Sequence, residues 1–192
     1  MPSDEEIAQQ LRESARVKVA MGERDVPAIR RIADAMIDAY RANRKVIAFG
    51  NGGSAADAQH IVAELVGRLQ LTRPALPALA LTTNSSVLTA IGNDYGYPYV
   101  FARQIEAWAQ PGDVAIAIST SGNSANVLEA VAAAKKRGAT TVALTGGTGG
   151  ALAAAVDLAV IVPSVNPQRV QEAHITIGHI LCGLVESALF GE

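Results

Sequence analysis

The sequence predicts an α/β fold, a doubly wound five-stranded parallel sheet with helices on both faces. Three observations predict it. Short apolar runs alternate with helix-patterned segments from residue 45 onwards, the signature of repeated strand–helix units. The runs are almost continuously apolar, as strands buried on both faces are. Glycine falls between the segments. Right-handed crossovers then lead to a flavodoxin-like strand order.

Each element has its own cause. Ser3-Asp4-Glu5-Glu6 is a capping box that opens a helix to about Met21. Asp25 and Pro27 open a second to about Asn43, with Ile29, Ile32, Ala33, Met36, Ile37 and Tyr40 on one side. Val46 to Phe49 is a short strand that ends in Gly50-Asn51-Gly52-Gly53, and a helix follows from Ser54 to about Leu69. Pro77 to Leu81 is strand-like. Residues 85–92 and 98–108 read as short helices around an Asn93-Asp94-Tyr95-Gly96 turn. Asp113 to Ser119 is a strand, and a polar loop to Ser124 leads into a helix that Gly138 stops after Arg137. Thr140 to Thr145 is a strand, Gly146 to Gly150 a flexible connection, and Asp157 to Val162 the last strand, broken by Pro163. Pro167 starts a final helix to about Phe190. One domain is expected over residues 1–192, with a helical pair over 1–44 and an α/β core over 45–192. The two leading helices and the long trailing one are additions to the sheet. Such amphipathic extras often pack into a partner, which favours a homo-oligomer.

Composition narrows the function. The 192 residues carry 16 Lys and Arg against 18 Asp and Glu, a net charge of −2. Nucleic-acid binding needs clustered cations, and no basic stripe is present. Aromatics make up 4%, too few for a base-stacking platform. A single Cys excludes an internal disulfide and Cys-paired zinc sites. The acidic start lacks the apolar stretch of a signal peptide. The longest apolar-looking stretch, Ala151 to Pro163, contains Asp157 and is too short to span a membrane. A cytoplasmic protein with no membrane partner is expected.

In a doubly wound sheet, ligands bind beyond the carboxyl ends of the strands. Two loops there carry chemistry. In Gly50-Asn51-Gly52-Gly53-Ser54 the glycines let backbone approach a ligand, and the following helix N-terminus suits an anion. It lacks the Lys of a Walker loop, and its plainer reading is a tight turn with Ser54 as N-cap. In Ser119-Thr120-Ser121-Gly122-Asn123-Ser124, four hydroxyls fall in six residues. A cap at Ser124 or Asn123 needs only one, so the loop is read as a phosphate cradle.

His60 and Glu64 are four residues apart and share a helix face. Gln171 and His179, on the last helix, are only loosely co-facial. His and Glu suit zinc, and a Gln amide is an uncommon ligand. By spacing alone a His-x-x-x-Glu pair is more often a surface hydrogen bond, and His174 competes with His179. Asn93-Asp94 is most simply a turn, although Asp94 can bond a sugar hydroxyl. Arg68 is placed for an ion pair with Glu64, and Cys182 reads as an inert core residue.

Three separated strings, in order, carry a resemblance. Phe49 to His60 (FGNGGSAADAQH) with Ala63-Glu64-Leu65, Ser119 to Ser124 (STSGNS), and Arg169 to Ile175 (RVQEAHI) are similar to the sugar isomerase (SIS) domain family over nearly the whole chain. The likeness is to its branch that interconverts heptose 7-phosphates. It implies a homotetramer with active sites near subunit interfaces. The implied reaction is conversion of D-sedoheptulose 7-phosphate to D-glycero-D-manno-heptose 7-phosphate, which opens nucleotide-heptose biosynthesis. Carried over by motif position, phosphate binding falls on Ser119, Thr120, Ser121 and Ser124. Sugar contacts fall on Asn51, Gly52, Gly53, Ser54, Glu64, Asn93, Asp94 and Gln171. One zinc per subunit falls on His60, Glu64, Gln171 and His179, and the acid–base pair on Glu64 and His179. One departure is visible: Gln168 stands where the family carries an acidic residue.

The residue types suit the implied chemistry. A carboxylate can move a proton from C1 to C2 through an enediol(ate) while a second group handles the oxygen proton, and such transfer contributes about 10²–10⁴-fold. A metal-bound Glu is a weaker base, so Glu64 has two demands to reconcile. The competing class is a non-catalytic SIS protein that binds sugar phosphates or scaffolds a replication initiator. Such a scaffold has no need of Glu64 together with His179.

Overall fold

The computed structural model describes residues 3–191. Helix α1 (Asp4–Arg24) opens on the expected capping box: the Ser3 amide donates to Glu6 Oε2 at 2.6 Å, and the Glu6 amide to Ser3 Oγ at 3.3 Å. Helix α2 (Val26–Arg41) follows directly and buries Ile29, Ile32, Ala33, Met36, Ile37 and Tyr40, the side expected. Strands β1 (Val46–Gly50), β2 (Ala78–Ala80), β3 (Val114–Ser119), β4 (Thr140–Gly146) and β5 (Leu158–Val162) form one parallel sheet in the order β2-β1-β3-β4-β5. The flavodoxin-like order is thus observed.

Two apolar layers enclose the sheet. Helices α2, α3 (Gly53–Val66) and α8 (Pro167–Phe190) pack on one face over Val46, Ala48, Ile116 and Ile118. Helices α5 (Ala102–Trp108), α6 (Ala125–Lys136) and α7 (Gly150–Ala155) pack on the other over Ile47, Phe49, Ala115 and Ala117. Alternate residues of each strand supply the two layers, as the period of two requires. Helix α8 is apolar and long enough to cross a membrane by composition, but its apolar side is used in this core.

Several local expectations change. Helix α4 (Ser85–Tyr95) runs through Asn93 and Asp94, which therefore sit in a last helical turn. A 3-10 turn at Tyr97–Tyr99 separates α4 from α5. The Val87 amide donates to Asn84 Oδ1 at 3.0 Å and caps the start of α4. Gly146–Gly150 forms a turn into α7, with the Gly149 amide donating to the Gly146 carbonyl at 2.9 Å.

Helix α3 ends at Val66, short of the expected Leu69, and the cause lies far away in sequence. Glu186 of α8 accepts from the Leu69, Gln70 and Leu71 amides at 3.2, 2.8 and 2.9 Å. Arg73 donates to Glu186 Oε1 at 3.1 Å and to the Glu64 and Leu65 carbonyls, each at 2.7 Å. Those carbonyls belong to the last turn, where helical partners run out. Burial opposes ionisation of Glu186, but the three amides and Arg73 outweigh it and hold the carboxyl below its ordinary range. The expected Arg68–Glu64 ion pair does not form; Arg68, now outside the helix, donates to Thr72 Oγ1 at 3.3 Å.

Candidate active site at the carboxyl edge of the sheet

The register sets β1 and β3 level, with Gly50 opposite Ile118, so Asn51 and Ser119 leave neighbouring strands side by side. Strand β1 feeds α3 on one face and β3 feeds α6 on the other. That divergence opens a crevice at the strand ends.

The first wall is the glycine loop. Gly52 has φ 55°, open to glycine at no steric cost, and serves as the N-cap position of α3 without a side-chain bond. Ser54 is not the cap; it lies buried in the first turn. A Cβ at Gly53 would stand 2.5 Å from Gln171 Nε2, so the glycine admits the Gln171 amide of α8 against the opening turn of α3. Sequence spacing gave no reason to expect that contact.

The second wall is the hydroxyl loop. Ser119 is buried, and its Oγ lies 3.3 Å from Ser124 Oγ. The Gly122 amide donates to Ser119 Oγ at 3.2 Å, and the Asn123 amide to Ser121 Oγ at 3.2 Å. Thr120 is half-buried between them. Ser124 is the N-cap residue of α6 yet makes no capping bond, so the free N–H groups of that first turn are not consumed by a side chain. Hydroxyls and free helix amides have the chemistry to hold an anion without a cation. The Gly146–Gly150 turn braces the hydroxyl loop. Asn123 Oδ1 accepts from the Ala151 amide at 3.0 Å, and Gly122, at φ 66°, lies so close to the Gly149 carbonyl that no side chain fits there.

A third cluster joins α3 to α8. His60 Nε2 lies 3.1 Å from Glu64 Oε1 and 3.1 Å from His179 Nε2. One donor atom from each of the three residues falls within 4.8 Å of the others. A tetrahedral ion with ligand bonds of about 2.0–2.1 Å spaces its donors roughly 3.3 Å apart, so the two distances from His60 suit a shared metal ion. A buried carboxylate oxygen nearby, Asp57 Oδ2, has no partner. Burial pushes that carboxyl up to about 6, against the pull of His60. The rival candidate His174 is fully buried, with its Nε2 3.3 Å from the Thr145 carbonyl, and takes no part in the cluster. Close packing fixes the helix pair: a Cβ at Gly178 would stand 2.7 Å from Ile61 Cγ1, and Cys182 Sγ meets the Ile61 carbonyl at 3.8 Å. Cys182 is buried, and burial pushes its thiol up to about 12, the inert residue expected.

Asn93 and Asp94 are exposed, with Asn93 Nδ2 donating to Asp94 Oδ1 at 2.8 Å. Just beyond them, the Tyr97 hydroxyl lies 3.3 Å from Asn51 Oδ1, which brings their segment to the glycine loop. Asn51 also pairs with Asn126 of α6. Sequence reasoning gave no role to Asn126, Tyr97, Arg73 and Glu186, and none beyond the opening turn of its helix to Asp57. Asp57 lies inside the first recognised string, and Asn126 two residues after Ser124.

Comparison with known proteins agrees with this geometry. The family model described as the SIS domain matches residues 9–146. A curated protein from Sulfurimonas denitrificans named phosphoheptose isomerase is 51% identical over 188 residues, covering 97% of this chain and 96% of that protein. A solved phosphoheptose isomerase from Francisella tularensis superposes with TM-score 0.94 at 37% identity, covering 97% of this chain and 100% of the other. One from Neisseria gonorrhoeae gives TM-score 0.91 at 45% identity, covering 95% and 98%.

Proposed function

The chain belongs to the SIS domain family, and from that premise we propose that it is a ketose–aldose isomerase converting D-sedoheptulose 7-phosphate to D-glycero-D-manno-heptose 7-phosphate. The observation that carries the reading is the meeting of His60, Glu64 and His179 on helices α3 and α8, in a chain that also carries the hydroxyl loop. A sugar-phosphate sensor or scaffold would need the cradle but not that cluster.

Phosphate is held by Ser119, Thr120, Ser121, Ser124 and the first turn of α6. The sugar runs from there along Asn51, Gly52, Gly53 and Ser54 towards α3, with Asn93, Asp94 and Gln171 bonding its hydroxyls. The reacting carbons then lie at Glu64 and His179. Glu64 takes the proton from C1 and returns it to C2, so one C–H bond breaks and one forms. With Nε2 turned to His60, His179 gives its Nδ1 proton to the oxygen at C2 and takes the C1 hydroxyl proton in return, which completes the exchange of carbonyl and hydroxyl. Glu64 has two oxygens for its two tasks: Oε1 faces His60 at 3.1 Å, and Oε2 serves proton transfer.

His60, Glu64, His179 and Gln171 are the residues that would hold one zinc ion per subunit. When bound, it polarises the carbonyl and stabilises the oxyanion. The protein works in the cytoplasm as a homotetramer, without nucleic acid or membrane. Exposed Ile7, Leu11 and Val19 on α1 and Ile180 on α8 supply apolar surface for subunit contact.

The test is direct. Protein incubated with sedoheptulose 7-phosphate, before and after chelation, is followed by NMR for the aldose. Product that falls on chelation and returns with zinc is expected. Folded protein that makes none overturns the reading.

A further inference from the structure

The crevice between β1 and β3 is bridged by a pair of amides. Asn51, the first residue after β1, donates from Nδ2 to Asn126 Oδ1 at 2.9 Å. Asn126, in the first turn of α6, donates back from Nδ2 to Asn51 Oδ1 at 2.8 Å. The Tyr97 hydroxyl adds a third bond to the same Oδ1, at 3.3 Å. Asn126 is 4% exposed, so its amide would be costly to leave unpaired. Turning either amide alone would set donor against donor and acceptor against acceptor. The pair therefore fixes both side chains.

The junction joins the three segments that hold the proposed ligand contacts: the glycine loop, the helix that follows the hydroxyl loop, and the stretch after Asp94. It also changes what Asn51 can offer. Both acceptor positions of Oδ1 are taken, and one N–H of Nδ2 remains.

We propose that Asn126 is a positioning residue for substrate. With Tyr97 it holds Asn51 so that its amide meets the sugar as a donor only, selecting an oxygen that can accept. It also keeps the phosphate cradle and the glycine loop at a fixed separation. This rests on the isomerase reading of the same site.

The test is a mutant cycle in the full-length protein. Asn126→Ala is expected to raise KM for sedoheptulose 7-phosphate about tenfold, the loss of one to two neutral hydrogen bonds, with kcat within about threefold. Tyr97→Phe, at an exposed position, should raise KM by a few-fold. In an Asn51→Ala background both substitutions should lose most of their effect, because they act through Asn51. Effects that simply add to Asn51→Ala, or a lower Tm with unchanged KM, would overturn the proposal and leave Asn126 a packing residue. Wild-type protein with no turnover would sink the isomerase reading alone. The inference is then read from the Asn51 side-chain amide in NMR spectra. Slow hydrogen exchange in wild type that becomes fast in Asn126→Ala supports it, and no change overturns it.

Discussion

His60 and His179, 119 residues apart in the chain, meet Nε2 to Nε2 at 3.1 Å. Two bare imidazole nitrogens repel at that distance. One must carry a hydrogen towards the other, or both must face a cation. Glu64 Oε1, at 3.1 Å from His60, adds negative charge and favours the cation. Protein purified without chelators should hold about one zinc per chain by elemental analysis. Either His60→Ala or His179→Ala should reduce this to a small fraction. Full occupancy in both variants would place the ion elsewhere.

Glu64→Gln keeps the size of the side chain and removes the base. A fall in kcat of about 10²–10⁴-fold is expected, together with loss of solvent-deuterium incorporation at C2. Retention of kcat within a few-fold would assign the proton to another group.

Ser121→Ala and Ser124→Ala act on the cradle, away from the reacting carbons. Each should raise KM about tenfold and leave kcat nearly intact. Inorganic phosphate should compete with substrate in wild type and more weakly in both variants. A collapsed kcat with unchanged KM would contradict the placement of phosphate.

Arg73 and Glu186 are each 2% exposed at the side chain. Removing one partner of such a pair strands the other, and typically costs 3–5 kcal/mol. Glu186→Ala should lower Tm by roughly 10 °C in a chain of this length. A drop of only a degree or two, by calorimetry on chelated protein, would show the pair to be dispensable.

His174 gives the pH dependence of stability. Burial pushes its imidazole from the ordinary 6.5 down to about 4, against the bond to Thr145. Above 6.5 both folded and unfolded chains are neutral there, and the residue has no effect. As pH falls below 6.5 the unfolded chain takes up the proton and the folded one does not, so stability is lost down to about 4. The loss reaches about 3 kcal/mol. Wild type should therefore lose more Tm between pH 7 and 5 than His174→Phe. Equal slopes would show that His174 titrates normally in the fold.

Much of the architecture was legible because it is written locally. The Ser3–Glu6 box, the one-sided burial of α2 and the five apolar runs each arise from residues close in sequence. The donor cluster was half legible: helical spacing pairs His60 with Glu64, but nothing within α8 decides between His174 and His179. Burial decides, since His174 turns into the core and His179 out to α3. The illegible residues all act over long range. Asn126 reaches back 75 residues to Asn51, and Glu186 reaches 115 to 117 residues to cap the turn after α3. A local reading sees an ordinary Asn and an ordinary surface-type Glu in such places.

The distance in sequence between α3 and α8 also sets a timetable. A ribosome that has delivered the chain only as far as Ser164 has made every strand, together with His60, Glu64 and the hydroxyl loop. It has made neither His179 nor Gln171, and α3 still lacks the Glu186 carboxylate that ends it. The sheet can assemble during synthesis, whereas the donor cluster closes only when the last helix docks. Capture of an ion by the full His–Glu–His set therefore reports completion of the fold and cannot template its beginning.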